Sequence, residues 1–194
     1  MRKPVTKPLR APELPADVAP TKLGTLRSGE VVEAARIVGD TLDASKAANV
    51  SLVDVVLEKT SLGMLDWRGA SLTRVVFAGC RITGGKLAEA TLEDVRFVGC
   101  QLDYASFYRS RFARATFEGC QLREADFTGS DLRGVLFGEC ELERAIFTEA
   151  KLEGTDVSSS RIGSIVVRST DVRGLVVSGD QASVLATVFG LVVR

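Results

Sequence analysis

The chain has four cysteines, Cys80, Cys100, Cys120 and Cys140. Four thiols could hold a metal, pair as disulfides or supply a nucleophile, and their spacing decides among these. Each closes a tetrapeptide that begins with phenylalanine: Phe77-Ala78-Gly79-Cys80, Phe97-Val98-Gly99-Cys100, Phe117-Glu118-Gly119-Cys120 and Phe137-Gly138-Glu139-Cys140. Zinc held by four thiolates needs them around one point at about 2.3 Å. Cysteines that return every 20 residues in the same context mark a stack of like units, and so stand in a line. Neighbours in such a line would have Cα atoms about 4.8 Å apart, but their parallel side chains keep the Cβ atoms beyond the ~3.5–4.5 Å of a disulfide. Histidine is absent, which removes Ser-His-Asp and Cys-His nucleophile systems and every His-containing metal site. The cysteines therefore read as small buried hydrophobes, interchangeable with the Ala, Val or Ser of equivalent positions. No catalytic residue, metal or cofactor is expected.

The other reactive side chains give the same answer. Carboxylates alternate with arginines, as in Arg123, Glu124, Asp126 and in Glu141, Glu143, Arg144, the pattern of a solvated mixed-sign surface. The Gly79, Gly99, Gly119 series is followed by no helix and so cannot cradle phosphate; it marks a tight corner. Asn49-Val50-Ser51 has the glycosylation pattern, which matters only in a secreted chain. Enzyme activity is not expected.

The elements that position these residues follow from a shorter period. From Leu62 to Val177 a large apolar residue falls at every fifth position, through Trp67, Leu72, Phe77, Ile82 and onward without a miss. A helix turns about 100° per residue, so this spacing forms no stripe. An odd spacing also sends successive residues of a straight strand to opposite faces. The chain must instead bend the same way once per pentad. Two residues before each centre sits a compact one, such as Ala70, Val75, Cys80, Gly85 or Ala90. The 20-residue echo sets four pentads to the coil, hence a four-sided loop. Coils should stack as parallel strands about 4.8 Å apart, each contacting only its neighbours. One wall then carries Phe77, Phe97, Phe117 and Phe137, and another Trp67, Leu87, Phe107, Phe127 and Phe147.

Ala125-Asp126-Phe127-Thr128-Gly129 and Ser130-Asp131-Leu132-Arg133-Gly134 resemble the pentapeptide-repeat family, whose consensus is Ala-Asp/Asn-Leu-X-X. The resemblance runs over roughly residues 32 to 177. It implies an all-β fold, a right-handed quadrilateral parallel β-helix. Val32, Ile37, Leu42, Leu52 and Leu57 keep the phase at the start, although Ala47 is small for a centre and Asp40 polar for an inward site. Residues 29–40 are expected as coil, the alternative being a short helix started by Ser28.

The expected organisation is a proline-containing tail over 1–29, the β-helix over 30–178, and a C-terminal capping helix and tail over 179–194. All five prolines lie in the first 20 residues, so that segment should be extended, either mobile or laid along the column. At the other end Asp180 is the expected N-cap, Gln181 to Phe189 a short helix and Gly190 its stop. Ala182, Leu185 and Phe189 would cover the last coil. Val184, Val188, Leu191 and Val192 exceed what one capping face needs and suggest a dimer contact; C-terminal dimers are also what the resemblance implies. No apolar run approaches the ~20 residues of a membrane span, and the start Met1-Arg2-Lys3-Pro4 leads into no apolar signal region. Reduced thiols then point to the cytoplasm.

Binding to a protein partner is the remaining function. The family resemblance includes proteins that protect bacterial type II topoisomerases by imitating DNA, which takes about one negative charge per 1.7 Å of axis. Here residues 40–177 hold 17 Lys+Arg and 20 Asp+Glu, a net of −3, in alternating sign. That favours a scaffold with a partner yet to be identified over the alternative of a DNA mimic that binds gyrase. Direct nucleic-acid binding is not expected either. The candidate partner surface is Tyr104, Tyr108, Arg109, Arg111 and Arg114, outward residues of the types favoured at interface hot spots. Successive pentads turn corners, so the alternative is that these side chains spread over three faces.

Overall fold

In the computed structural model, which describes residues 8–192, the pentad centres and the compact residues before them point inward along the whole column. The seven strands are β1 (Pro20–Thr21), β2 (Val31–Val38), β3 (Ser51–Glu58), β4 (Ser71–Ala78), β5 (Thr91–Val98), β6 (Arg111–Glu118) and β7 (Leu136–Gly138). They form one parallel sheet in sequence order. From β2 onward every pair is in register at an offset of 20, from Val31↔Ser51 to Glu118↔Gly138. The other two sides of the coil are joined by single bridges at the same offset, such as Thr41↔Ser61 and Lys46↔Asp66. The four-sided parallel β-solenoid expected from the two periods is the observed fold, and residues 29–40 are coil and strand, without the short helix.

The bend required once per pentad has a single backbone cause. Every fifth residue from Gly24 to Gly154 has positive φ, between +47° and +76°. From Ala34 onward each lies two positions after a pentad centre, so each coil turns four left-handed corners. At Gly99 and Gly119 an added Cβ would meet nothing within 4 Å, so glycine serves the dihedral there and not the space.

Aromatic ladders fill the interior. Phe77, Phe97, Phe117 and Phe137 stack face to face at 4.7–4.9 Å, and Phe107, Phe127 and Phe147 at 5.1–5.2 Å. Rings of the two ladders meet edge to face at 5.7–6.1 Å. Such pairs add about 0.5–1.5 kcal/mol beyond area burial. Ala47, small for a centre, lies one coil below fully buried Trp67, whose indole nitrogen reaches back to Ser45 Oγ at 3.4 Å. A large ring thus leans over a small residue.

Both ends are closed. Leu26 is buried at the N-terminal end, and Asp40, polar at an inward phase, accepts the Leu23 and Thr41 amides at 2.9 Å and so pins the closing segment. At the C-terminal end the helix α1 (Gly179–Val188) is capped by Ser178, not by Asp180 as expected. Ser178 and Gln181 form a reciprocal capping box, which places the start of the helix two residues earlier. Ala182 is exposed; Gln181 takes its place over the last coil beside Leu185. Gly190 ends the helix at φ +79°.

Candidate functional site

The cysteine ladder is more than apolar filling. Each thiol donates to the carbonyl oxygen of a centre in the coil before: Cys80 to Leu57, Cys100 to Phe77, Cys120 to Phe97 and Cys140 to Phe117, at 3.3–3.4 Å. Ser110, Ser130, Thr155 and Ser160 make the same bond from equivalent positions at 2.6–2.7 Å. The cysteines therefore stand in for serine, a donor role that their reading as small hydrophobes missed. Facing Cys120 and Cys80 within the apolar wall, the Cys100 thiol is pushed up and stays protonated. All four are buried and free, so they offer no exposed nucleophile.

The predicted partner surface divides among three corners. Tyr104, Arg109 and Arg114 are successive left-handed corners of one coil. Tyr108 and Arg109 come together, the guanidinium lying over the ring at 5.0 Å from its centroid, and Arg111 is exposed just past that corner. Tyr104, 58 % exposed, occupies the corner before. Arg114, at the corner after, is engaged with Asp94 and Glu93.

That last corner belongs to a stack which sequence reasoning did not single out. Asp54, Arg74, Asp94 and Arg114 are corner residues 20 apart, alternating in sign. Arg74 grips Asp54 in a fork of 2.5 and 2.6 Å, and Arg114 grips Asp94 at 2.6 and 2.9 Å. The signal was present in the residue two after each centre, read one column at a time. Arg74 holds the Asp54 carboxyl below the usual carboxylate range. Arg114 does the same for Asp94 against the opposing effect of burial, aided by Arg10.

Arg10 brings in the N-terminal tail. Its amide donates to Asp94 Oδ1 at 3.1 Å, and its guanidinium donates to Asp94 Oδ2 at 2.9 Å and to Glu93 at 3.2 Å. The amide of Glu13 donates to Asp54 Oδ1 at 2.8 Å. The tail is thus laid along the column over these corners before β1 joins the sheet. Under it the Asp94 side chain has no exposed surface.

Elsewhere several outward carboxylates pair with arginines of adjacent coils: Glu124 with Arg144 at 2.5 Å, Glu141 with Arg161 at 2.9 Å and Glu58 with Arg36 at 2.9 Å. Asp171, near the C-terminal end, is held down to about 2 by Arg168. The residues of the proposed dimer contact are all exposed, Leu191 at 63 % and Val192 at 85 %. Among the described residues no buried side-chain nitrogen or oxygen lacks a partner, and no helix is long and apolar enough to cross a membrane.

Comparison with known proteins places this geometry. Among solved structures, HetL, a pentapeptide repeat protein involved in heterocyst differentiation regulation from the cyanobacterium Nostoc sp., is 16 % identical over 78 % of this chain and 84 % of its own, with a TM-score of 0.48. Trypsin-treated QnrB1, a plasmid-mediated fluoroquinolone resistance protein, is 16 % identical over 89 % and 96 %, at 0.42. A pentapeptide repeat protein of the Arabidopsis thaliana thylakoid lumen is 18 % identical over 84 % and 76 %, at 0.35. A search of curated proteins finds no match. The family model of a pentapeptide repeat region matches residues 70–147, and that of pentapeptide repeats in eight copies matches 51–87. Together they span 51–147, half of the chain, over the coils whose corners and centres recur without a miss, and the chain belongs to the pentapeptide-repeat family.

Proposed function

We propose that the protein is a non-catalytic interaction scaffold that presents the outside of its column to a cytoplasmic protein partner. One observation carries this reading: the interior is filled from all four walls, and a void among Phe147, Leu152, Val157, Ile162, Ile165 and Leu175 measures only about 10 Å³. A column this solid offers no interior site for a substrate, which leaves recognition to the outward residues. Tyr108, Arg109 and Arg111 are the part of the predicted patch that lies together round one corner, and Tyr with Arg is a hot-spot composition. Imitation of DNA for gyrase is the weaker reading, because the column carries 17 Lys+Arg against 20 Asp+Glu over residues 40–177 and arginines of neighbouring coils pair with several of the carboxylates that would have to imitate phosphates.

The test is cross-linked capture from a cell lysate and from purified gyrase, with the wild type and a Tyr108→Ala/Arg111→Glu variant side by side. A protein partner retained by the wild type and lost by the variant is the expected result. Equal retention by both discards the patch. Gyrase inhibited in supercoiling by the wild type would favour the weaker reading.

A further inference from the structure

Extended backbone, proline and a single arginine meet the corner stack in matching steps. Residues 8–15 contain Pro8, Pro12 and Pro15, a composition that favours polyproline II, with three residues per turn and a rise of about 3.1 Å. Residues three apart in that conformation face the same way, about 9 Å apart. Two coils of the column advance about 9.6 Å at the parallel-strand spacing. Arg10 and Glu13 are three apart in the tail, and Asp94 and Asp54 are two coils apart on the column. The tail's two amide bonds to the column thus fall where the two rises coincide. Neither position is a proline, which would have no N–H to give.

The charges fit as well as the steps. Asp54 and Arg74 form one pair and satisfy each other. At the other end Asp94 and Glu93 face Arg114 alone, leaving one negative charge over, and the Arg10 guanidinium supplies the balancing positive charge. Glu93 bridges the two arginines. Without an arginine at this place a carboxylate would remain against the column with incomplete pairing, so the stack discriminates for arginine at one position and for a free amide three residues on. Arginine supplies the donors in a planar fork, which lysine does not.

We propose that the Asp54–Asp94 corner stack is a recognition site for extended, proline-rich segments bearing one arginine, and that residues 8–14 of the chain occupy it in cis as a built-in ligand. A partner with such a segment would compete with the tail for the same corners. The site rests on the scaffold reading and names one surface and one class of partner for it. It is separate from the Tyr108 corner.

The experiment uses the full-length protein. An Arg10→Glu variant places a negative charge against Glu93 and Asp94 and should release the tail without touching the column. A fluorescently labelled peptide with the sequence of residues 8–19 is titrated into wild type and variant at low salt, and its anisotropy is followed. Binding to the variant at least about tenfold tighter than to the wild type is expected, since in the wild type the site is filled. A second peptide carrying Arg10→Ala should bind the variant at least about tenfold more weakly than the first, about 1.4 kcal/mol per decade; this arm alters only the peptide and is insensitive to column stability. Equal binding of the first peptide to both proteins, no binding to the variant, or equal binding of the two peptides overturns the site. None of those outcomes touches the scaffold reading, which is tested at Tyr108 and Arg111.

Discussion

Ser160 continues the ladder of Cys80, Cys100, Cys120 and Cys140 by one rung, and its hydroxyl donates to Phe137 O at 2.7 Å where Cys140 donates to Phe117 O at 3.4 Å. The wall therefore accepts either donor, and the thiol trades a weaker hydrogen bond for a more apolar, larger atom. Cys120→Ser keeps the bond to Phe97 O and shortens it, so we expect stability within about 1 kcal/mol of wild type. Cys120→Ala removes the donor and the sulfur together and should cost about 1–3 kcal/mol. Urea denaturation midpoints of the two variants separate the roles: if serine costs as much as alanine, the thiol contributes only its volume. Burial at these positions was legible from the spacing, but the donor role was not. It depends on which way Sγ turns at a site whose counterparts on another wall are Ala105, Ala125 and Ala145, residues with no donor at all.

At the scale of elements, a solenoid's weak points are its open ends, where a coil's carbonyls and amides have no next coil to meet. The C-terminal helix meets this with one side chain. Gln181 Nε2 donates to Val157 O at 2.8 Å and to Ser160 O at 2.6 Å, while its Oε1 accepts the Ser178 amide at 2.8 Å. One amide group thus serves two carbonyls of the last coil and the N-terminus of the helix that covers it. Gln181→Leu preserves bulk but leaves those carbonyls and the cap unpaired, at a cost of about 2–3 kcal/mol in thermal stability and with early fraying of α1. Hydrogen exchange would show that fraying as lost protection at Leu185 and Phe189; unchanged protection would mean that Leu185 alone anchors the helix. The helix itself was legible from residues 180–190, but its cap was displaced by two. Asp180 and Ser178 are both good N-caps, and only the reciprocal bond with Gln181 decides between them.

For the molecule as a whole, the coil, its four sides and its two phenylalanine ladders were readable before any coordinates, because a five-residue phase can be met by one backbone path. Pairings across distant sequence were not. Arg10 and Asp94 lie 84 residues apart and no period connects them. Assembly is the remaining question at this scale, and the two ends differ in what they leave uncovered. The N-terminal end is sealed by Leu26 and the segment pinned to Asp40. At the other end Val184 and Val188, four apart on the exposed side of α1, and Leu191 and Val192, in the segment after its Gly190 stop, leave an exposed apolar stripe. A stripe facing away from its own column fits the same stripe on a second copy, related by a two-fold axis. We therefore expect the 20.8 kDa chain to sediment at twice that mass, with dissociation on dilution. Val188→Glu combined with Leu191→Glu puts like charges across the axis and should give a monomer with unchanged circular dichroism, since neither side chain is part of the core. A wild type that sediments as a monomer at every concentration refutes the dimer, and a double variant that keeps the doubled mass places the contact elsewhere on the column.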